Sequence, residues 1–315
     1  MKKYAFLPVV LLLVISCKMV TNADRQFGQV NENKIYRLHL NPANDSKYYY
    51  DISNQSEIKL ELSDNKIDNL NKTTVGVIYS INRDSTGNFK IALQYDRLKI
   101  FTKSGDSESE MDAANAALTI NPVEKMLGIL KQAVITANVS QTGELKSITG
   151  YEELTSKIMA QLGSSDVYTR ETARKQWEQS VGKGIIRNNL DQLFKIFPDS
   201  AVHIGDKWKL NISQGDELGL NAKASFILKG IEGDNALISS SGEIKSDGDA
   251  VSLMGQEVTT KLQGHQEGEY EMNIKSGMLV KSTITATVEG ILLIMGKEVP
   301  VNIKTSVDMK GKEMK

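Results

Sequence analysis

The side chains in this sequence equipped for chemistry are three histidines, one cysteine and a scatter of carboxylates, and their spacing decides what each can do. His39, His203 and His265 lie far apart, so no HxxxH or HExxH pair exists to hold a zinc ion on one helix face. No GxSxG turn raises a serine as a nucleophile, and no glycine-rich loop is present to cradle a phosphate. Glu152 and Glu153 are adjacent, and adjacent residues on a helix point apart, so they are expected as solvated charges rather than as an acid–base pair. Cys17 is the only cysteine of 315 residues, which rules out an internal disulfide and a multi-thiolate metal site. No catalytic, metal-binding or cofactor-binding residue is therefore assigned, and the chain is expected not to be an enzyme.

Cys17 has a context of its own. Lys2 and Lys3 precede an apolar run from Phe6 to Ile15, and Ser16 stands just before the cysteine. A charged start, an apolar stretch and a small residue at the cut make an export signal. The run is too short to serve as a permanent span, which needs ~20 apolar residues. Residues 1–16 are expected to be removed as a signal peptide, with cleavage between Ser16 and Cys17. Val14-Ile15-Ser16-Cys17 resembles a lipobox, which implies acylation of the Cys17 thiol with palmitate-type chains. Two or more such chains hold a protein stably at a membrane. The strongest later apolar stretch, Ile291 to Met295, suits a buried strand and cannot span.

Removal of Lys2 and Lys3 leaves 36 basic against 39 acidic side chains, with both signs interspersed. Nucleic-acid binders concentrate Lys and Arg on one face, so no nucleic-acid partner is expected. A hydrophobic content of 40% over this length is enough for one large or two moderate cores.

The elements follow from periodicity. Residues 17–34 are polar and without period, and are expected to form a flexible tether behind the lipid. Alternating runs mark strands at Tyr48 to Ile52, Ile58 to Leu62, Thr73 to Ile81 and Phe89 to Ile100. Asn121-Pro122 predicts a helix over 122–130, with Asn as cap and Pro in the first turn. Between 151 and 197 the period becomes helical: Tyr151, Leu154, Ile158 and Leu162 share one face, Val181, Ile185 and Ile186 open a second stretch, and Leu190, Leu193, Phe194 and Phe197 line a third. From Val202 strands resume, beginning at Trp208, which is read as an aromatic plugging the core rather than as an exposed ligand platform. The fold expected is α+β, mainly antiparallel β, with two β-rich halves joined by a helical middle section. The β-rich body spans 35–309 and a polar tail 310–315.

Three stretches recur as a set: Val139 to Gly150, with Gln141-Thr142-Gly143 at its turn; Phe197 to Trp208, containing Phe197-Pro198-Asp199 and Ile204-Gly205-Asp206-Lys207-Trp208; and Lys275-Ser276-Gly277-Met278-Leu279. Together they resemble an uncharacterised family of Bacteroidetes lipoproteins, a domain of unknown function, over roughly residues 35–309. That resemblance implies location and no known chemistry. Surface-exposed lipoproteins of that lineage often carry an acidic run after the cysteine, and Lys18 to Asp24 lacks one, which points to the outer membrane with the body facing the periplasm.

The function expected is that of a membrane-anchored envelope lipoprotein with a soluble periplasmic binding or assembly domain. Its partners would be the membrane, through the lipid on Cys17, and a protein or an apolar ligand. An alternative is a carrier holding an apolar or lipid ligand between sheet and helices. A carboxylate-based hydrolase ranks last. The distinction turns on whether Leu154, Ile158, Leu190 and Phe194 face a filled core or an open cavity.

Overall fold

A computed structural model describes residues 34–62, 65–162, 174, 177, 183–213, 218–246, 248–253 and 256–315. Ser16, Cys17 and the expected tether as far as residue 33 lie outside the described residues, as does Val181, and the side chains of Leu162 and Ile185 are likewise not described.

The chain opens with four strands, β1 (Ser46–Leu62), β2 (Asn65–Arg83), β3 (Phe89–Ser104) and the short β4 (Ser107–Asp112). Helix α1 (Pro122–Gln132), strands β5 (Val134–Val139) and β6 (Leu145–Thr149), helix α2 (Tyr151–Leu162) and helix α3 (Lys183–Phe194) follow. The remainder is β7 (Lys207–Ser213), β8 (Leu220–Glu232), β9 (Asn235–Ser246), β10 (Ala250–Leu253), β11 (Gln256–Asn273), β12 (Leu279–Ile294) and β13 (Lys297–Met314). Residues 310–314, expected as a polar tail, continue β13.

All of these strands form one 13-stranded antiparallel sheet in the order β6-β5-β3-β2-β1-β13-β12-β11-β9-β8-β7, with β4 beside β3 and β10 beside β11. This corrects the expected α+β class with two halves joined by a helical middle. The two ends of the chain are joined by a strand pair: β1 lies against β13 from Lys47↔Met314 to Leu60↔Val301. The helices are short and form a cover instead of a connecting layer. Local alternation marks each strand, but only long-range backbone hydrogen bonds choose its neighbour, and those leave no periodic signature.

Alternation sets which side chains face inward. In β8, Leu220, Ala222, Ala224, Phe226 and Leu228 are buried while Lys223 points out. The sheet bends round the helices, because α3 touches both edge strands, β6 and β7. Inside, Tyr50, Tyr79, Leu154, Ile158, Leu190 and Phe194 share one contiguous core. A second apolar cluster, including Ala222, Ile244, Leu262, Val288, Val301 and Ile303, occupies the other end of the same inner face.

Helix α1 begins as its sequence predicts: the Asn121 side chain accepts from the Val123 N–H at 2.9 Å, and Pro122 occupies the first turn, where a missing N–H does no harm.

The buried tyrosines make a pH prediction. Tyr50 donates to the Leu279 carbonyl at 2.9 Å and meets Tyr79 edge-on at 5.4 Å. Burial pushes the Tyr270 phenol up to about 12, and the Tyr50 and Tyr79 phenols also well above the ordinary value. The native state therefore holds these protons after the unfolded chain has lost them. The contribution of these phenols to stability is complete below about pH 10, the unfolded phenol value, and is lost as pH rises toward 12. Urea midpoints measured across this range should drop, and a flat profile would contradict the burial.

Candidate functional site

The residues considered for chemistry remain apart. His39 Nδ1 lies 3.1 Å from the Arg37 carbonyl, and His203 Nδ1 lies 3.2 Å from Asp206 Oδ2 in a local turn, where the His203 N–H also donates to Asp206 at 2.7 Å. His265 sits on the outer, exposed face of β11. Glu153 pairs with Lys157 at 2.8 Å and Glu152 with Lys183 at 3.2 Å, so the two carboxylates serve different ion pairs. Among the described residues no three His, Asp or Glu side chains converge.

Trp208 is half-buried and packs against the core. Its ring stacks on Phe226 at 5.7 Å, and its indole N–H donates to the Ile196 carbonyl at 3.0 Å. The helical stripes serve the same core: Leu154, Ile158, Leu190 and Phe194 are all buried in it.

The three sequence stretches, by contrast, meet in space. Tyr36 pairs with Val202 through two backbone hydrogen bonds of 2.8 and 2.9 Å, the Leu40 N–H donates to the Gln141 carbonyl at 2.8 Å, and the Asn41 N–H donates to the Ser276 carbonyl at 2.8 Å. Arg83 then donates to Asn41 Oδ1 at 2.8 Å. One residue from each stretch thus grips the segment Tyr36–Asn41 at the start of the described residues. Two glycines in these stretches allow close approaches, Gly277 to the gripped segment itself and Gly143 to the end of α3. A Cβ on Gly143 (φ +80) would fall 1.8 Å from the Phe194 carbonyl oxygen, and one on Gly277 (φ +69) would fall 2.1 Å from that of His39.

A second constellation lies on the inner face, between the two apolar clusters. Thr102, Asn71, Ser56 and Thr305 stand opposite one another across β3, β2, β1 and β13, and the row continues through Ala286 to Gln266 on β11. Thr73 and Asn54 form the neighbouring row. All of these polar side chains are buried, with Asn54 8%, Asn71 6% and Thr102 5% exposed. Thr305 donates to Ser56 at 3.0 Å. Asn54 Oδ1, Asn71 Oδ1 and Thr102 Oγ have no hydrogen-bond partner, nor has Ser282 Oγ on β12. A buried polar group without a partner costs about 1–3 kcal/mol, so several in one band form a feature that packing alone does not explain. The band contains no ionisable side chain.

Sequence reasoning passed over this band. Its signal is present in β1, where the inward positions read Tyr48, Tyr50, Ile52, Asn54, Ser56, Ile58, Leu60. The polar pair at the centre looks like a break between two strands, whereas β1 runs unbroken through it.

On the outer face, an open groove of about 790 Å³ is lined by residues that include Lys59, Glu61, Lys261, Glu289 and Asn302. It mixes both charge signs and offers no single-sign field.

Residues 86–279 match the model of a family of unknown function (DUF6263), more than half of the chain. The protein belongs to this family. The matched region contains all three of the stretches singled out above and ends on Leu279, the last residue of the third. No curated protein matches the sequence. Among solved structures, a chain described as "Lipid-protein interactions in lipovitellin" is 11% identical, over 86% of this chain and 25% of that one, with a TM-score of 0.49. This chain therefore spans a quarter of that relative's length. The translocator domain of the autotransporter NalP from Neisseria meningitidis is 8% identical over 85% of this chain and 89% of its own, with a TM-score of 0.22. OccK5 (OpdH) of Pseudomonas aeruginosa is 8% identical over 86% and 99%, also with a TM-score of 0.22.

Proposed function

We propose that this protein is a membrane-anchored envelope lipoprotein, held through lipidated Cys17 at the periplasmic face of the outer membrane, whose body works by non-covalent binding. The anchor rests on the lipobox-like Val14-Ile15-Ser16-Cys17 after a short apolar run. The observation that carries the binding role is the inner band, where the Asn54 and Asn71 amide oxygens and the Thr102 hydroxyl are buried without hydrogen-bond partners. A domain built only to be stable would replace them by apolar residues of the same shape at little cost.

The grip on Tyr36–Asn41 supports the anchored reading as well. A lipid at Cys17 can orient the body only if the end of the tether is fixed to it, and the family stretches supply that fixation.

Two experiments test the proposal. Cys17→Ala should abolish labelling of the protein by a fatty-acid probe in cells and release it from the membrane fraction. Unchanged labelling would remove the anchor. Crosslinking in intact cells should trap one dominant protein partner or a bound ligand on the body, and a diffuse set of weak neighbours would count against a binding role.

A further inference from the structure

We infer that the inner polar band is the binding site for the uncharged polar end of an amphiphile, whose apolar portion runs along the neighbouring inward residues of β1 and β2. This rests on the reading of the body as a binding domain and gives that domain a ligand class.

The acceptors set the polarity of the ligand. Asn54 Oδ1 and Asn71 Oδ1 can only accept hydrogen bonds, and Thr102 Oγ stands directly opposite Asn71 across the strand pair. What satisfies them must donate, through hydroxyl or amide N–H groups. With no Lys, Arg or His in the band, a buried phosphate or carboxylate would lack a counter-charge, which strongly disfavours a charged head. The positions that follow on the same face set the rest. Ile58 and Leu60 succeed Ser56 at alternate positions of β1, and Ile67 on β2 stands opposite Leu60. All three are only half-buried, unlike the closed cluster of Val288, Val301 and Ile303 beside them. Apolar wall and donor-seeking band thus adjoin on one face, an arrangement suited to an aliphatic chain with a glycerol-like or amide head.

The probe is 1-monooleoylglycerol, titrated into the full mature protein in detergent at submicellar concentration, with oleate as the charged counterpart. Binding is read by thermal shift and native mass spectrometry. Monooleoylglycerol should bind as a one-to-one adduct and raise the melting temperature, and oleate should bind at least tenfold more weakly. Asn71→Leu replaces the orphan acceptor by an apolar side chain with the same branching at Cγ. It should weaken monooleoylglycerol binding at least tenfold, yet leave the ligand-free melting temperature equal to or above that of the wild type; Thr102→Val should behave in the same way. Lower ligand-free stability in both variants with unchanged binding would make the band a structural water site and overturn the inference. So would equal affinity for oleate, or no adduct at all. The anchor and the crosslinked partner are measured without reference to this site, so a missing adduct overturns this inference while the binding role is still tested separately.

Discussion

Gly143→Ala is expected to destabilise the protein by about 3 kcal/mol or more, and so to lower its melting temperature by about 5–10 °C. Two effects add. The residue sits at φ +80, where a side chain is strained, and its new methyl would meet the Phe194 carbonyl oxygen at 1.8 Å. That oxygen belongs to the last residue of α3, whose Leu190, Leu193 and Phe194 are locked in the core, so the helix end cannot retreat without opening the packing. Gly205→Ala supplies the control. Gly205 has φ +95, but nothing lies within 4 Å of its added Cβ, so only the strain remains. A calorimetric comparison should therefore rank Gly143→Ala well below Gly205→Ala. Equal losses would show that the contact between the turn and α3 is not rigid.

Phe226→Ala should be the more damaging of the large-to-small changes, at about 3–5 kcal/mol. Phe226 is 0% exposed, lies between Trp208 at 5.7 Å and Tyr270 at 5.8 Å, and connects the edge strand β7 to β11 through the core. Removing the ring leaves a cavity bounded by two other rings whose own bonds, Trp208 to Ile196 and Tyr270 to Ser240, hold them in place. The urea midpoint should fall with the slope unchanged, and the near-ultraviolet signal of Trp208 should weaken. Leu118→Ser and Ile120→Ser mark the opposite limit. Those side chains are 93% and 94% exposed, and their replacement should change stability by no more than about 0.5 kcal/mol.

Much of the framework was legible in the residues. Alternation in β3, β8 and β13 identifies strands and their inward faces, since a period of two is imposed by the pleat itself. Asn121-Pro122 announces α1 because capping chemistry is local. The stripe Tyr151, Leu154, Ile158 predicts a helix with one buried face, and all three residues are buried. The family stretches were visible as a set, although their role in gripping Tyr36–Asn41 was not, because hydrogen bonds from residues 141, 202 and 276 to one short segment span most of the chain.

The polar band misled the sequence reading for a physical reason. Asn54 and Ser56 interrupt the apolar alternation of β1 as a turn would, and Asn71 and Thr73 sit near the start of a run that alone reads as beginning at Thr73. Nothing in a single strand shows that the interruptions on β1, β2, β3 and β13 fall in register. Only the pairing aligns them into one buried row.

The sequence by itself determined where most of the strands run, which side of each is apolar, and where α1 starts, although it left β4 in a loop and ended β13 early. The tertiary structure decided that the strands make one sheet whose two halves are joined by the β1–β13 pair, that the helices cover its inner face, and that scattered polar residues become a band with unsatisfied acceptors. The division follows from range. Side-chain periodicity and capping act within a few residues, whereas strand order and register come from backbone hydrogen bonds between distant segments, and every residue but proline carries the same donor and acceptor.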